Sequence, residues 1–259
     1  MNTGRPPLLL GGYFLALVAL LYLPIAVLFL FSFNANTTLS FPLQGLTFDW
    51  YRKLFAAEAV LRSARNSLVV AAGSSLAATL LGTAVAALFL RFQFRSKNLL
   101  LALTVLPLIV PFVVLAVALL LLFSALHIER SLWTVGIAHT VVALPYAFLI
   151  VISRLAGFDP SLEEAAMDLG ATYLTTLRRI VLPIIAPAMV SAWLTAFTVS
   201  FDEFALALFL AGTEPTFPVY LFSQLRFASR LPIMIALAVL MMIGSLTLVL
   251  VAERLRRAE

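Results

Sequence analysis

The 259-residue chain has no cysteine, which excludes disulfides, thiolate-bound metals and cysteine nucleophiles. Histidine is nearly as scarce. His127 and His139 are the two present, and neither has another histidine at helical ligand spacing, so no metal site is expected. Charged residues make up 11% of the chain, less than half of the roughly 25% usual in soluble domains. No HExxH pair, GxSxG elbow or GxxxxGK(S/T) loop is present. The chain is therefore expected not to be an enzyme and to carry no cofactor of its own.

What fills the sequence is hydrophobicity, at 63% of residues. A spanning helix needs about 20 mostly apolar residues, and six stretches qualify: about 8–33, 66–90, 99–123, 131–153, 183–211 and 231–252. These predict an all-α membrane protein with one transmembrane domain over 1–259. The first stretch follows Arg5 but exceeds the roughly 7–15 apolar residues of a secretory signal, so it is expected to stay as a span. The net charge of +5 is scattered over short loops rather than gathered into a nucleic-acid-binding stripe. With the N-terminus inside, Arg5, Arg91, Arg95, Lys97, Arg154, Arg178, Arg179, Arg254, Arg256 and Arg257 fall inside, and Arg52, Lys53, Arg62, Arg65, Arg130, Arg226 and Arg230 outside. That bias favours cytoplasmic termini.

Two connections are too long to be simple turns. On the outer side, Leu46 to Phe55 mixes aromatics with charges and predicts a short interfacial helix that braces the bundle. Pro24, Pro107, Pro111, Pro145, Pro183 and Pro187 interrupt the spans and free carbonyls that neighbouring protein must satisfy. Ala71, Ser75 and Thr79, and Gly82 with Ala86, have the spacing of close helix contacts. No internal repeat or mirrored half is evident, which disfavours many secondary-transporter architectures.

The longest inner segment, about 157–182, is helical in its local grammar. Ser161 and Glu164 have the spacing of a capping box, with Asp159 and Glu163 near the same helix end. Leu162, Ala165, Ala166 and Leu169 form one apolar stripe. Gly170 permits a sharp turn, after which Thr172 caps a second short helix expected to end at Pro183. Such a ridge either packs on the inner membrane surface or meets a soluble partner.

Glu164-Ala165-Ala166, followed by Gly170, Ile180 and Leu182-Pro183, resembles the EAA loop of permeases in binding-protein-dependent ATP-binding-cassette importers. Phe201-Asp202-Glu203, together with Phe48, Trp50, Tyr51 and Asn66-Ser67-Leu68, resembles above all the spermidine/putrescine branch. The resemblance implies a type I, MetI-like permease with six spans and a coupling helix, forming half of a passage in the bacterial cytoplasmic membrane. It further implies a second related permease, a different chain being favoured over a copy, and two ATPase subunits carrying ATP and Mg. An extracytoplasmic solute-binding protein completes the implied assembly. On that likeness the helix from Glu163 to Gly170 sits in an ATPase cleft, packed through Ala165, Ala166 and Leu169. Glu164 pairs with the ATPase or serves as its own helix cap. Gly170 sets the angle between the two short helices.

Charge inside a span is expensive, about 2.5–3.5 kcal/mol at the bilayer centre on insertion scales, so Asp202 and Glu203 point to a passage or a buried ion pair. Ser191, Thr195, Thr198 and Asp202 share one helical stripe, whereas Glu203 aligns with Ala196, Val199 and Leu206. Asp202 is accordingly expected to face the passage and Glu203 to lie between helices, held by a basic group. A carboxylate in the passage favours amines over oxyanions. Trp193, Phe197 and Phe201 offer cation-binding faces or lipid contacts. His139 within the fourth span is expected to be hydrogen-bonded structure. The alternatives are a permease for iron, thiamine, an opine or an amino-acid derivative, and an ion-coupled secondary transporter using the same carboxylates.

Overall fold

The computed structural model describes residues 8–37 and 40–257, so Arg5 lies outside the described residues. The chain divides into two compact units, Met1–Val60 with Leu221–Leu246, and Leu61–Tyr220 with Thr247–Glu259. No strand is assigned among the described residues. Five helices are long and apolar enough to span a bilayer, or six when one bent pair is counted as a single span.

In the first unit, α1 (Leu8–Phe31) is exposed along nearly its whole length, as an apolar helix in lipid can be. The anticipated short helix is α2 (Asp49–Ala56). It buries Trp50 and Leu54. The Trp50 indole N–H donates to the Asn34 carbonyl at 2.7 Å, and Tyr51 donates to Ser32 Oγ at 2.8 Å. Two amphipathic aromatics thus tie the chain after α1 to α2, each through its polar atom.

The second unit is built on α3 (Glu58–Arg91), α6 (Leu132–Ala156) and α9 (Leu182–Phe201). The second span thus begins at Glu58, ahead of the expected 66, and absorbs Arg62 and Arg65 into its first turns. Its buried face runs Ala71, Ser74, Ser75, Ala78, Thr79, Gly82 and Ala86. Ala78 packs with Ala143 and Ala196, so three fully buried alanines meet where the helices converge. One turn further, a Cβ on Gly82 would lie 2.8 Å from the Phe148 nitrogen and 3.0 Å from Ala147 Cβ. α3 and α6 therefore run parallel at backbone contact. α9 is antiparallel to α6, with Val181 and Ile185 beside Leu155 at one end and Ser200 beside His139 at the other. Small residues suit lipid, where dispersion and close approach replace the hydrophobic drive between helices.

Two expected spans are broken. The stretch 99–123 is not one rod but α4 (Lys97–Val105), a tight turn at Leu106–Leu108, and α5 (Phe112–Ala125), bent by 111°. Pro107 starts the tight turn, and Pro111 takes an extended ψ of 133° that no α-helix continues. Leu101 and Val105 pack with Val151 and Leu155, whereas Ala116 and Phe123 pack with Val135, Ala138 and Val142. The bent pair therefore still carries the chain from one end of α6 to the other. The stretch 183–211 is likewise interrupted, ending as α9 at Phe201 and resuming as α10 (Ala205–Leu210). Two more helices complete the chain, α11 (Phe217–Gln224) and α12 (Leu231–Arg257).

Gly82→Leu should cost about 1–3 kcal/mol by forcing α3 from α6. Thermal unfolding in detergent reads this, and a melting temperature equal to the parent's would contradict the backbone contact.

Candidate functional site

At the end of the bundle where α3 finishes and α6 stops, the chain forms an arm. α7 (Ser161–Asp168) leads to Gly170, whose φ of +87° only glycine adopts without strain, and then to α8 (Tyr173–Thr176). Thr172 caps α8 as expected, its Oγ1 accepting from the Thr175 N–H at 3.3 Å. The expected Ser161–Glu164 capping box is absent. Pro160 occupies the N-cap, which moves Ser161 into the first helical turn, and Asp159 Oδ1 accepts the Ser161 N–H at 3.0 Å instead. Hydrogen bonds from the Ser161 backbone and then its side chain pull the Asp159 pKa below the usual carboxylate value.

The second short helix does not end at Pro183. A π-helical turn at Leu177–Val181 joins α8 to α9, with Pro183 in the first turn of the latter. Proline has no N–H and its ring crowds the carbonyl four residues back; a widened turn just before it relieves both problems. Ile180 is half-buried here and Leu182 and Pro183 are exposed.

α7 buries no residue. Leu162 and Leu169 are 46% and 90% exposed, and with Ala165 and Ala166 they make a free ridge. On the opposite side Glu163, Glu164 and Met167 line a cavity of about 430 Å³ together with Ala87, Arg91 and Leu155. Arg91, the last residue of α3, grips Glu163 with both guanidinium arms at 3.0 and 2.5 Å and donates to Tyr173 Oη at 3.3 Å. Glu163 thus faces the bundle rather than the free ridge, while Glu164 beside it on the cavity wall remains exposed. Sequence reasoning counted Arg91 only as an inner cation. Its partner lies 72 residues away, and no local spacing reports that.

The second candidate region is the break between α9 and α10. Asp202 ends α9 and is exposed, while Glu203 is 5% exposed. Glu203 Oε2 accepts the backbone N–H groups of Leu206 and Ala207 at 2.9 and 3.2 Å, which starts α10. Thr195 and Thr198 are half-buried and return their hydroxyls to the Ser191 and Leu194 carbonyls. Trp193, Phe197 and Phe201 form a ladder, with ring centroids 5.9 and 5.7 Å apart and the last pair stacked. Behind the break His139, 2% exposed, holds its Nδ1 2.8 Å from Ser200 Oγ and its Nε2 3.3 Å from Glu203 Oε2. The second contact is out of line for a hydrogen bond and is electrostatic.

The family model described as binding-protein-dependent transport system inner membrane component matches residues 78–258. The chain belongs to this family. It is thus a transport permease that lies in the inner membrane. It is 35% identical over 251 residues to the spermidine/putrescine transport system permease protein PotC of Escherichia coli strain K12, covering 96% of this chain and 94% of that one. It is 38% identical over 227 residues to the putrescine transport system permease protein PotI of the same strain, covering 85% and 78%. Its fold is shared with a bacterial alginate ABC transporter solved in complex with an alginate-bound periplasmic protein, at a TM-score of 0.74 and 18% identity over 96% of this chain and 93% of that one. Bent and broken spans notwithstanding, this is the MetI-like permease architecture.

The Arg91–Glu163 pair is largely buried, with side chains 21% and 15% exposed, so its loss falls between the values for surface and buried pairs. Arg91→Met should free α7 at a cost of about 1–3 kcal/mol. Limited proteolysis within 157–172 should accelerate while the bundle's melting temperature holds. Unchanged cleavage would show that the pair does not secure the arm.

Proposed function

We propose that this permease forms half of the passage in an ATP-driven importer of small organic cations, of the spermidine and putrescine type. The observation that carries the reading is the arm. Two short helices with an exposed apolar ridge, pinned to the end of α3 and continuous with α9, are a lever with none of the described residues packed on its free side. A separate ATPase subunit that seats Ala165, Ala166 and Leu169 would turn nucleotide-driven closure into movement of α9, and ATP and Mg would reside on that subunit. The arm then lies in the cytoplasm, as do both termini. A second, related permease supplies the other half of the passage, and an extracytoplasmic binding protein delivers the cargo.

The cargo class rests on two supports. Both Escherichia coli relatives described above are polyamine permeases by name. Asp202 is an exposed carboxylate at a helix break, beside half-buried Thr195 and Thr198 and an aromatic ladder. A fixed negative charge attracts amines and repels oxyanions, and aromatic faces suit a cation leaving water. Glu203 differs in kind, since its oxygen is committed to the start of α10.

Reconstitution with ATPase, second permease and binding protein tests both supports. Glu164→Lys and Gly170→Pro should abolish uptake-coupled ATP hydrolysis while the chain still inserts, because proline locks φ near −65°, opposite to the +87° that this turn requires. Asp202→Asn should lower putrescine uptake about tenfold or more, the loss expected for one charge-assisted contact. Putrescine uptake driven by a proton gradient without ATP would overturn the importer reading, and undiminished uptake in Asp202→Asn would overturn the cargo reading.

A further inference from the structure

Three residues, one from each of three helices, and Glu203 at the break form one polar chain inside the bundle. Ser74 Oγ on α3 lies 2.8 Å from Ser200 Oγ on α9, which lies 2.8 Å from His139 Nδ1 on α6. The other ring nitrogen, Nε2, faces Glu203 Oε2 at 3.3 Å. All four are at least nine-tenths buried, at 3%, 4%, 2% and 5% exposure. One proton arrangement fits these contacts. Ser74, whose hydroxyl also lies 3.4 Å from the Ala71 carbonyl, donates to Ser200, Ser200 donates to Nδ1, and the remaining N–H sits on Nε2, on the carboxylate side but out of line for a hydrogen bond, so that its hold on Glu203 is electrostatic.

We propose that His139 is a positioning residue for passage of the cation. Its imidazole, oriented by Ser200 and Ser74, keeps the Glu203 carboxylate turned into the bundle, where Oε2 caps α10 through Leu206 and Ala207. That cap holds the chain open at 202–204, and the open turn is what leaves Asp202 exposed. Without the imidazole, Glu203 is a buried carboxylate held only by two amides on one side. It gains by swinging toward water, which releases α10 and lets the helix close through residue 202. The role is indirect, since His139 acts through Glu203. It rests on the reading of Asp202 as the residue that meets the cargo.

The chain's lack of cysteine makes the test clean. Asp202→Cys is placed in the assembled importer with His139, His139→Leu or His139→Gln, and labelling by a small cationic thiol reagent is read on this chain after separation. Labelling should be fast with His139, fall about tenfold in His139→Leu as the break closes, and largely return in His139→Gln, which keeps a donor toward Glu203. With Asp202 retained, His139→Leu should lower maximal putrescine uptake about tenfold at an unchanged half-saturating concentration, because the binding protein sets the latter. Should His139→Leu fail to accumulate, His139→Asn carries the same comparison, its shorter amide reaching Ser200 but not Glu203. Equal labelling in all His139 backgrounds overturns the assignment. Labelling that depends on His139, alongside undiminished uptake in Asp202→Asn, keeps the positioning role and removes only the cargo reading.

Discussion

A backbone amide or carbonyl freed inside a bilayer must find its partner within the protein, because hydrocarbon offers none. Three interruptions of the spans in this permease are organised by that demand. The break at 202–204 is tolerated because Glu203 collects the N–H groups of Leu206 and Ala207. The turn at Leu106–Leu108 keeps its bonds in a tighter pattern, with Ile109 N–H returning to the Leu106 carbonyl at 3.0 Å. The π-helical turn before Pro183 absorbs a residue that cannot donate. Serines and threonines on the spans follow the same rule, bonding carbonyls of their own helix as Thr140 does to Gly136 at 2.7 Å.

These interruptions would loosen the bundle if the helices around them were held far apart. They are held close. Ala78, Ala143 and Ala196 remove side-chain bulk at one level, and Gly82 removes it a turn away. Backbone contact joins α3 to α6 and alanine packing joins α9 to both, so in the proposed importer displacement at the Leu177–Val181 turn would be carried along α9 to Asp202 rather than absorbed by side-chain rearrangement. Arg91 adds the second attachment, fixing the arm to α3 as well as to α9. A lever attached at one point pivots freely; one attached at two transmits torque.

The sequence displays what depends on length and local chemistry. Six apolar runs exceed the span length, Gly170 stands where a turn needs positive φ, and Thr172 stands three residues before the amide it caps. The stripes read along α9 separate Asp202 from Glu203 in the direction the structure shows, exposed against buried, although both residues lie at the break beyond Phe201. What depends on partners distant in sequence is hidden. Arg91 and Glu163, and His139 and Glu203, are each joined by tertiary packing that no window of residues contains. Proline misleads in a different way. Pro24, Pro145 and Pro187 sit inside continuous helices, whereas Pro107 and Pro111 accompany a bend of 111°. Backbone conformation rather than spacing separates them: Pro111 takes an extended ψ of 133° that ends the helical path, whereas Pro183 and Pro187, also four residues apart, both stay within α9.

The two adjacent carboxylates show how one constraint serves two ends. A bilayer tolerates buried charge only when it is compensated, and Glu203 is compensated by two amides and an imidazole. Compensation of one carboxylate creates the helix break that leaves its neighbour exposed. An uninterrupted α9 would place residue 202 against the preceding turn and commit the backbone around it to helix bonds. The capped break instead puts a charge at the end of a helix, beside Thr198 and the Phe201 ring, where no described residue makes a hydrogen bond or ion pair with the Asp202 Oδ atoms. Structural stability at Glu203 and availability of charge at Asp202 are therefore consequences of the same turn. Substitutions behind the break at His139, Ser200 or Ser74 act on the passage without touching what moves through it.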